Sequence, residues 1–415
     1  MIRNWGIISI FVVASVLLDF YVFQAVRTVS QGSSERVKAI IFNSYWGISI
    51  LAIAIVVVLP FFRNLEDSRV RNYFFITILG LFFAKLLAGV FFLVDDARRL
   101  IQWAAGKLFF RGTDEEGGYG EAISRSSFLS WLGLGIGGGL FSTILYGYSN
   151  KYRYEVRRVQ LAFDNLPTAF KGLKIVQLSD IHSGSLADQK AVEKGVEMVL
   201  REKADLILFT GDLVNDRAVE MKDLKHVFNR LEAPMGIFST LGNHDYGDYT
   251  WWETPEEKKA NLEQLKEIQK GMGWRLLMNE HVVLERGGAQ IALIGIENWS
   301  AKARFPKYGK MSEAYAGAEK YPFKILMSHD PSHWDVEVRP HYPDIDLALA
   351  GHTHGMQFGI EIPGFKWSPV QYVYKEWAGL YEEGRQKLYV NRGFGFIGYP
   401  GRVGILPEIT VIELV

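Results

Sequence analysis

Leu173–His182 reads LKIVQLSDIH, an apolar β-branched run followed at once by an acid and a histidine two residues apart. The same grammar recurs downstream. Leu206–Thr210 leads into Gly211-Asp212, and Ile237–Leu241 into Gly242-Asn243-His244-Asp245. Phe323–Met327 precedes Ser328-His329-Asp330, and Ile345–Ala350 precedes Gly351-His352-Thr353-His354. Short apolar runs of this kind are strand signals, and loops at strand ends are where an α/β sheet shapes a site. Gln290–Ile296, Leu388–Val390 and Ile409–Glu413 read as further strands, and Asp188–Lys203 and Glu256–Lys270 as helices. The expectation is an α/β domain over residues 151–415.

All nine histidines lie between residues 182 and 354, five of them in these motifs. Asp180 and His182 are two apart, as are His352 and His354, so in extended backbone each pair points to one side and grips one metal or serves two. The chain has no cysteine, which excludes thiolate zinc knots, iron–sulfur clusters and cysteine nucleophiles. Oxygen and imidazole donors suit manganese, iron or zinc. The donors outnumber the needs of one ion, which argues for two divalent metals that share a water and hold a phosphoryl oxygen. His226, His281, His333 and His341 fall outside the motifs and read as partly exposed residues.

D-x-H, G-D, G-N-H-D, a histidine after a strand, and G-H-T-H, in that order over residues 170–415, resemble the signature of calcineurin-like metallophosphoesterases. The resemblance implies a four-layer α/β/β/α sandwich. It also implies that Asp180, His182 and His354 hold one metal, that Asn243, His329 and His352 hold a second, and that Asp212 bridges them. His244 would protonate the leaving oxygen and Asp245 would orient His244. Tyr389–Gly395 (YVNRGFG) resembles the closing block of the membrane-associated branch, which makes Arg392 a candidate phosphate contact. In Gly355-Met356-Gln357 the sequence departs from that branch's glycine-glycine-glutamine.

Upstream of residue 150 the texture differs. Trp5–Val26, Ile40–Phe62, Tyr73–Val94 and Phe128–Tyr148 are each about 20 residues and apolar, long enough to cross ~30 Å of hydrocarbon as helices. Residues 1–150 therefore read as a four-helix transmembrane region, and Asp114–Gly120 as an acidic loop tip before its last span. The 46 basic and 46 acidic residues cancel, which argues against bulk electrostatic binding of nucleic acid. Flanking positive charge does not orient the spans, since eight Lys and Arg fall on either side. Ser124–Leu129 (SRSSFL) resembles a twin-arginine export signal with one arginine replaced, and suggests an extracytoplasmic catalytic domain. Gly133, Gly135 and Gly138 match a dinucleotide fingerprint by spacing, but no strand precedes them. Close helix packing through Gly135 and Gly139 is the expected use. Asp19 and Lys85 sit at matching depths in spans one and three and are expected to pair.

Two aromatic stretches, Tyr246–Trp252 and Phe365–Tyr381, flank the motifs and could admit a lipid beside a bilayer. The leading expectation is a membrane-anchored phosphodiesterase or pyrophosphatase acting on a lipid-linked or cell-envelope phosphoester. A general nucleotide phosphodiesterase with a passive anchor, and a non-catalytic metal-binding scaffold, are the alternatives.

Overall fold

The four apolar stretches form helices α1 (Ile2–Val29), α2 (Glu35–Val58), α3 (Ser68–Phe109) and α4 (Ser127–Ser149) in a computed structural model, which describes residues 2–58, 68–109 and 125–415. Each is long and apolar enough to cross a membrane. Ile10, Leu17, Leu51 and Leu93 face outward, as lipid-facing side chains do. Residues 59–62 of the expected second span, and the Asp114–Gly120 loop, lie outside the described residues. The third helix overruns its expected end at Val94 by a further 15 residues. Asp95 and Asp96 end the apolar run without ending the helix, because each has partners. Asp95 accepts from the Ser126 amide at 3.0 Å and pairs with Arg98 at 2.9 Å. Asp96 pairs with Arg99 at 3.1 Å and Arg125 at 2.9 Å.

Asp19 and Lys85 do meet. Lys85 Nζ contacts Asp19 Oδ1, and α2 completes the cluster: Ser49 Oγ donates to Asp19 Oδ1 at 2.8 Å, and the Tyr45 hydroxyl donates to the Asp19 backbone carbonyl at 2.9 Å. Helix packing through glycine occurs one face away from the expected one. A Cβ on Gly135 or Gly139 would meet nothing within 4 Å. One on Gly133 would lie 2.8 Å from Phe92, and one on Gly137 2.6 Å from the Ala84 carbonyl. The four glycines offer two G-x-x-x-G faces, and the small side chains Ala84 and Ala88 on α3 select one.

Residues Met1–Tyr146 and Gly147–Val415 form two compact units. The second opens with β1 (Glu155–Leu161), β2 (Lys174–Leu178), β3 (Leu206–Phe209), β4 (Ile237–Ser239) and β5 (Trp274–Leu276). Next come β6 (Glu280–Arg286), β7 (Ala289–Gly295), β8 (Lys324–Met327) and β9 (Leu347–Ala350). The chain ends with β10 (Ile360–Ile362), β11 (Phe365–Trp367), β12 (Gly379–Glu383), β13 (Gln386–Val390) and β14 (Glu408–Leu414). One six-stranded sheet runs β1-β14-β2-β3-β4-β5 and the other β12-β13-β9-β8-β7-β6, with parallel centres in both.

Three cores separate four layers. Between the sheets lie Phe170, Ile175, Leu208, Leu293, Ile325 and Leu349. Helix α5 (Gln189–Arg201), started by Asp188 accepting from the Ala191 amide, buries Val192, Val196 and Val199 against the first sheet, together with short α6 (Lys225–Phe228) and α7 (Pro255–Gly271). On the far side α8 (Met311–Tyr315) and the turn at Trp334–Val338 cover the second sheet. The order is α/β/β/α, with near-continuous apolar central strands as parallel sheets covered on both faces require.

Gly137→Val should destabilise the membrane unit, because the added methyls overpack a backbone contact already closer than a Cβ tolerates; a cost of about 1–3 kcal/mol is expected. Gly139→Val should be near neutral. Thermal unfolding of both variants in detergent checks the pair, and equal effects would refute the assigned face.

Candidate metal centre

Strand ends put every motif residue at one edge of the sandwich. Asp180 and His182 follow β2, Asp212 follows β3, Asn243 and His244 follow β4, His329 follows β8, and His352 and His354 follow β9. Turning from each parallel strand straight into the site demands unusual backbone. Asp180, His182, Asp212, His352 and His354 have φ of 53°, 48°, 60°, 69° and 50°. Left-handed conformations cost a non-glycine residue on the order of 1–3 kcal/mol and persist where surroundings enforce them. Here the enforcement is mutual: the Asp180 amide donates to the Gly211 carbonyl at 2.9 Å, the His182 amide to the Asp212 carbonyl at 3.1 Å, and the His352 amide to Asp180 Oδ2 at 3.0 Å. Gly211 has φ of 97°, and a Cβ there would lie 2.4 Å from the Gly242 nitrogen.

Two donor groups result, Asp180 with His182 and His354, and Asp212 with His329 and His352. In the first, His182 Nε2 faces His354 Nε2 at 3.1 Å, and His354 Nε2 lies 3.2 Å from Asp180 Oδ1. In the second, His329 Nε2 lies 3.1 Å from Asp212 Oδ2, and His352 Nδ1 3.3 Å from His329 Nε2. Asp212 Oδ2 is also 3.5 Å from His182 Nε2, so one carboxylate touches both groups. Asn243 Oδ1 is buried with no hydrogen-bond partner, while its amide nitrogen donates to the Tyr249 hydroxyl at 3.0 Å. An orphaned buried acceptor costs about 1–3 kcal/mol, and a divalent cation is the partner that would satisfy it. The donor set, all oxygen and imidazole, fits such ions.

The electrostatics agree. Burial would raise the Asp212 carboxyl, but the adjacent His329 and His244 rings hold it well below the usual carboxylate range. Burial would lower His329, and Asp212 instead lifts it to about 10, so the ring carries a proton beside that carboxylate and would release it on taking up a divalent ion. Burial pushes His182 down to about 3, keeping it neutral with a lone pair to offer. The imidazoles are also oriented from behind. His329 Nδ1 donates to the Thr210 carbonyl at 2.7 Å, and His352 Nε2 meets the Tyr374 hydroxyl at 2.9 Å, itself bonded to Asp330 at 3.1 Å. Such outer partners fix ring orientation around a metal. The cleft above has a volume of about 770 Å³ with its open mouth included.

Residues 3–151 match the family model described as the transmembrane domain of a probable calcineurin-like phosphoesterase, and residues 173–356 match the model for calcineurin-like phosphoesterases. A transmembrane protein with a metallophosphoesterase domain from Danio rerio is 31% identical over 74% of this chain and 67% of its own length. The chain belongs to the calcineurin-like metallophosphoesterase family. It is a membrane protein and a metal-dependent phosphoester hydrolase. Other similar relatives are a metallophosphoesterase of Bacillus subtilis, YkuE, 29% identical over 70% of this chain and 98% of that one, and the phosphodiesterase YaeI of Escherichia coli, 29% identical over 63% and 88%.

Two roles carried over from the family motifs are corrected by the geometry. Asp245 does not touch His244: its carboxylate accepts from the amides of Gly242, Asp212, Leu213 and Val214 at 2.8–3.3 Å, clamping the loop after β4 to the loop after β3. Burial and the Asp212 charge push its carboxyl up to about 7, against which the Gly242 and Leu213 amides and the His329 ring stabilise the ionised form. His244 is oriented instead by the Asn215 carbonyl, 2.7 Å from Nδ1. No sequence signal marks that contact, because a backbone acceptor carries no side-chain signature.

Arg392 is likewise committed elsewhere. It is 2% exposed, with one terminal nitrogen 2.6 Å from Glu408 and the other 2.6 Å from Glu361, which leaves no donor face for a phosphate. The cation that does line the cleft is Arg304, exposed, stacked on Phe305 at 4.6 Å, and without a carboxylate partner among the described residues. Among the other histidines, His333 departs from expectation: it is fully buried, with Nδ1 3.0 Å from Ser328 Oγ.

Arg392→Ala should cost on the order of 3–5 kcal/mol, because it strands the fully buried Glu408. Arg392→Met combined with Glu408→Gln should recover most of that loss. Thermal unfolding in detergent tests both, and a single variant as stable as the parent would contradict the assignment.

Proposed function

We propose that this cleft hydrolyses a phosphodiester or pyrophosphate bond with the help of two divalent ions, manganese, zinc or iron. Asp180, His182 and His354 would hold one ion, Asn243, His329 and His352 the other, and Asp212 both. The observation that carries the reading is the Asp212 carboxylate facing imidazoles of both donor groups, with the unpartnered Asn243 Oδ1 beside them. When bound, such ions supply positive charge for the phosphoryl oxygens and acidify the attacking water.

The chain's own residues do the rest. His244 spends Nδ1 on the Asn215 carbonyl, which leaves Nε2 as the atom that delivers a proton to the leaving oxygen. Asp245 acts as a positioning residue that keeps the loops of Asp212 and His244 in register. Arg304 neutralises the incoming anionic ester at the cleft mouth. A diester is supported by the phosphodiesterase among the relatives. A lipid-linked or envelope ester is supported by the membrane unit, since confinement to a bilayer raises the effective concentration of a membrane-resident substrate.

Turnover of bis-p-nitrophenyl phosphate by the full chain should vanish on chelation and return with added metal. Asp212→Ala should abolish it, and His244→Ala should lower kcat by about 10²–10⁴-fold. Arg304→Ala should mainly raise KM. In mixed micelles, lipid pyrophosphates and diesters should be cleaved well above matched soluble nucleotides, and equal rates would sink the lipid reading. No turnover in the metal-loaded parent would sink the enzymatic one.

The catalytic domain is assigned to the extracytoplasmic side on the strength of the SRSSFL segment alone. Arg125 of that segment also has a structural task, pairing with Asp96 at 2.9 Å. A reporter fused after Val415 should read out as extracytoplasmic, and a cytoplasmic signal would refute the assignment.

A further inference from the structure

One small sheet belongs to neither six-stranded layer. Strands β10 and β11 pair antiparallel, Ile360 with Trp367, Glu361 with Lys366 and Ile362 with Phe365. Paired residues share a face and neighbours alternate, so Ile360, Ile362, Phe365 and Trp367 make one face, and Glu361 and Lys366 the other. The polar face is the inner one. Glu361 accepts from Arg157 at 3.0 Å and from Arg392 at 2.6 Å, and Lys366 Nζ donates to the Ala378 carbonyl. The apolar face is the outer one, with Ile360, Ile362 and Phe365 49%, 58% and 53% exposed. A hairpin made for water has the opposite arrangement, apolar side inward and polar side out.

The patch continues past the hairpin. Trp367 Nε1 donates to the Tyr372 hydroxyl at 3.4 Å, and Tyr372 and Val373 are 77% and 50% exposed. Val373 also lines the cleft, so the apolar surface runs up to the mouth of the candidate metal centre.

Its position in the chain names the occupant. The Gly359 amide, just before β10, donates to the Val403 carbonyl at 2.8 Å. Val403 in turn packs on Gly147, where a Cβ would lie 2.5 Å from Val403 Cγ2. Gly147 belongs to the last turn of α4, a helix apolar enough to span a membrane. The hairpin therefore starts two contacts away from Gly147, two residues before that candidate span ends at Ser149.

We propose that the outer face of the β10–β11 hairpin, extended by Tyr372 and Val373, seats in the lipid surface, so that the cleft opens beside the headgroup layer. Aliphatic side chains reach the acyl boundary, and Tyr372 and Trp367 take the interfacial level that amphipathic rings prefer. The seating stands whatever the substrate. Its consequence, loading of a membrane-resident ester without passage through water, rests on the lipid reading of the proposed function.

The absence of cysteine makes the test direct. Ile362→Cys and Val219→Cys, the latter 58% exposed and distant in sequence from the hairpin, can each carry one environment-sensitive NBD fluorophore in the full chain. The proteins go into phosphatidylcholine–phosphatidylglycerol nanodiscs, one copy per disc. The label at residue 362 should be quenched by doxyl-labelled lipid and shielded from iodide, and the label at residue 219 should behave in the opposite way. Iodide quenching at residue 362 without doxyl quenching would overturn the seating, as would shielding from both quenchers, the mark of a protein partner. The double variant Ile362→Ser with Phe365→Ser should lose several-fold activity on lipid esters in bilayers and keep its rate on bis-p-nitrophenyl phosphate. Doxyl quenching with no preference for lipid esters would retain the seating and reject the lipid substrate alone.

Discussion

Asp212 is the residue on which the catalytic unit's geometry turns. One carboxylate oxygen faces both His329 and His182, the other accepts from the His244 amide at 2.8 Å, its own amide is clamped by Asp245, and its carbonyl holds the His182 amide. The loops after three parallel strands of the first sheet are thereby tied to a histidine from the second. Two sheets that share a purely apolar interface could slide; a buried carboxylate with three directional partners ties their edges in one register. The same concentration of charge makes the vicinity expensive without a cation, since it gathers two carboxylates, several lone pairs and an orphaned amide oxygen in a dry place.

Much of this was legible in the sequence because the site is built from periodic elements. All eight strands expected from β-branched runs are present, and each motif lies where its strand ends. What escaped has physical reasons. Strand β1 reads EVRRVQL and pairs only with β14 at a sheet edge, so it carries a weak apolar signature. Strands β10–β12 are short and face outward with mixed composition. The roles of Asp245 and Arg392 differ from the motif reading because a motif gives side chains and spacing, while their partners are amides and carboxylates contributed by other loops. Of the aromatic loop YGDYTWW, Tyr246 is packed and Trp251 stands 73% exposed, a difference no composition reveals.

The membrane unit shows the same division. Helices and the Asp19–Lys85 pair follow from length, depth and the cost of lone charges in hydrocarbon. Ser49 and Tyr45 could not be named in advance, because hydroxyls are common in apolar helices and only the packing of α2 brings these two to Asp19. Net neutrality proves to be a sum of unlike parts. The first 150 residues hold 13 basic and 10 acidic side chains, the remainder 33 and 36.

The left-handed backbone at five donor positions restricts how the site can change over generations. Among residues other than glycine, Asn, Asp and His are the ones that enter that conformation with least strain. They are also residues able to hold a hard or borderline cation. Drift at these positions is therefore channelled: exchanges within that small set keep the turn and leave a graded, weaker site, while a β-branched replacement breaks the loop and the donor together. Chains descended from such a site should fade in activity before they lose the architecture that carried it.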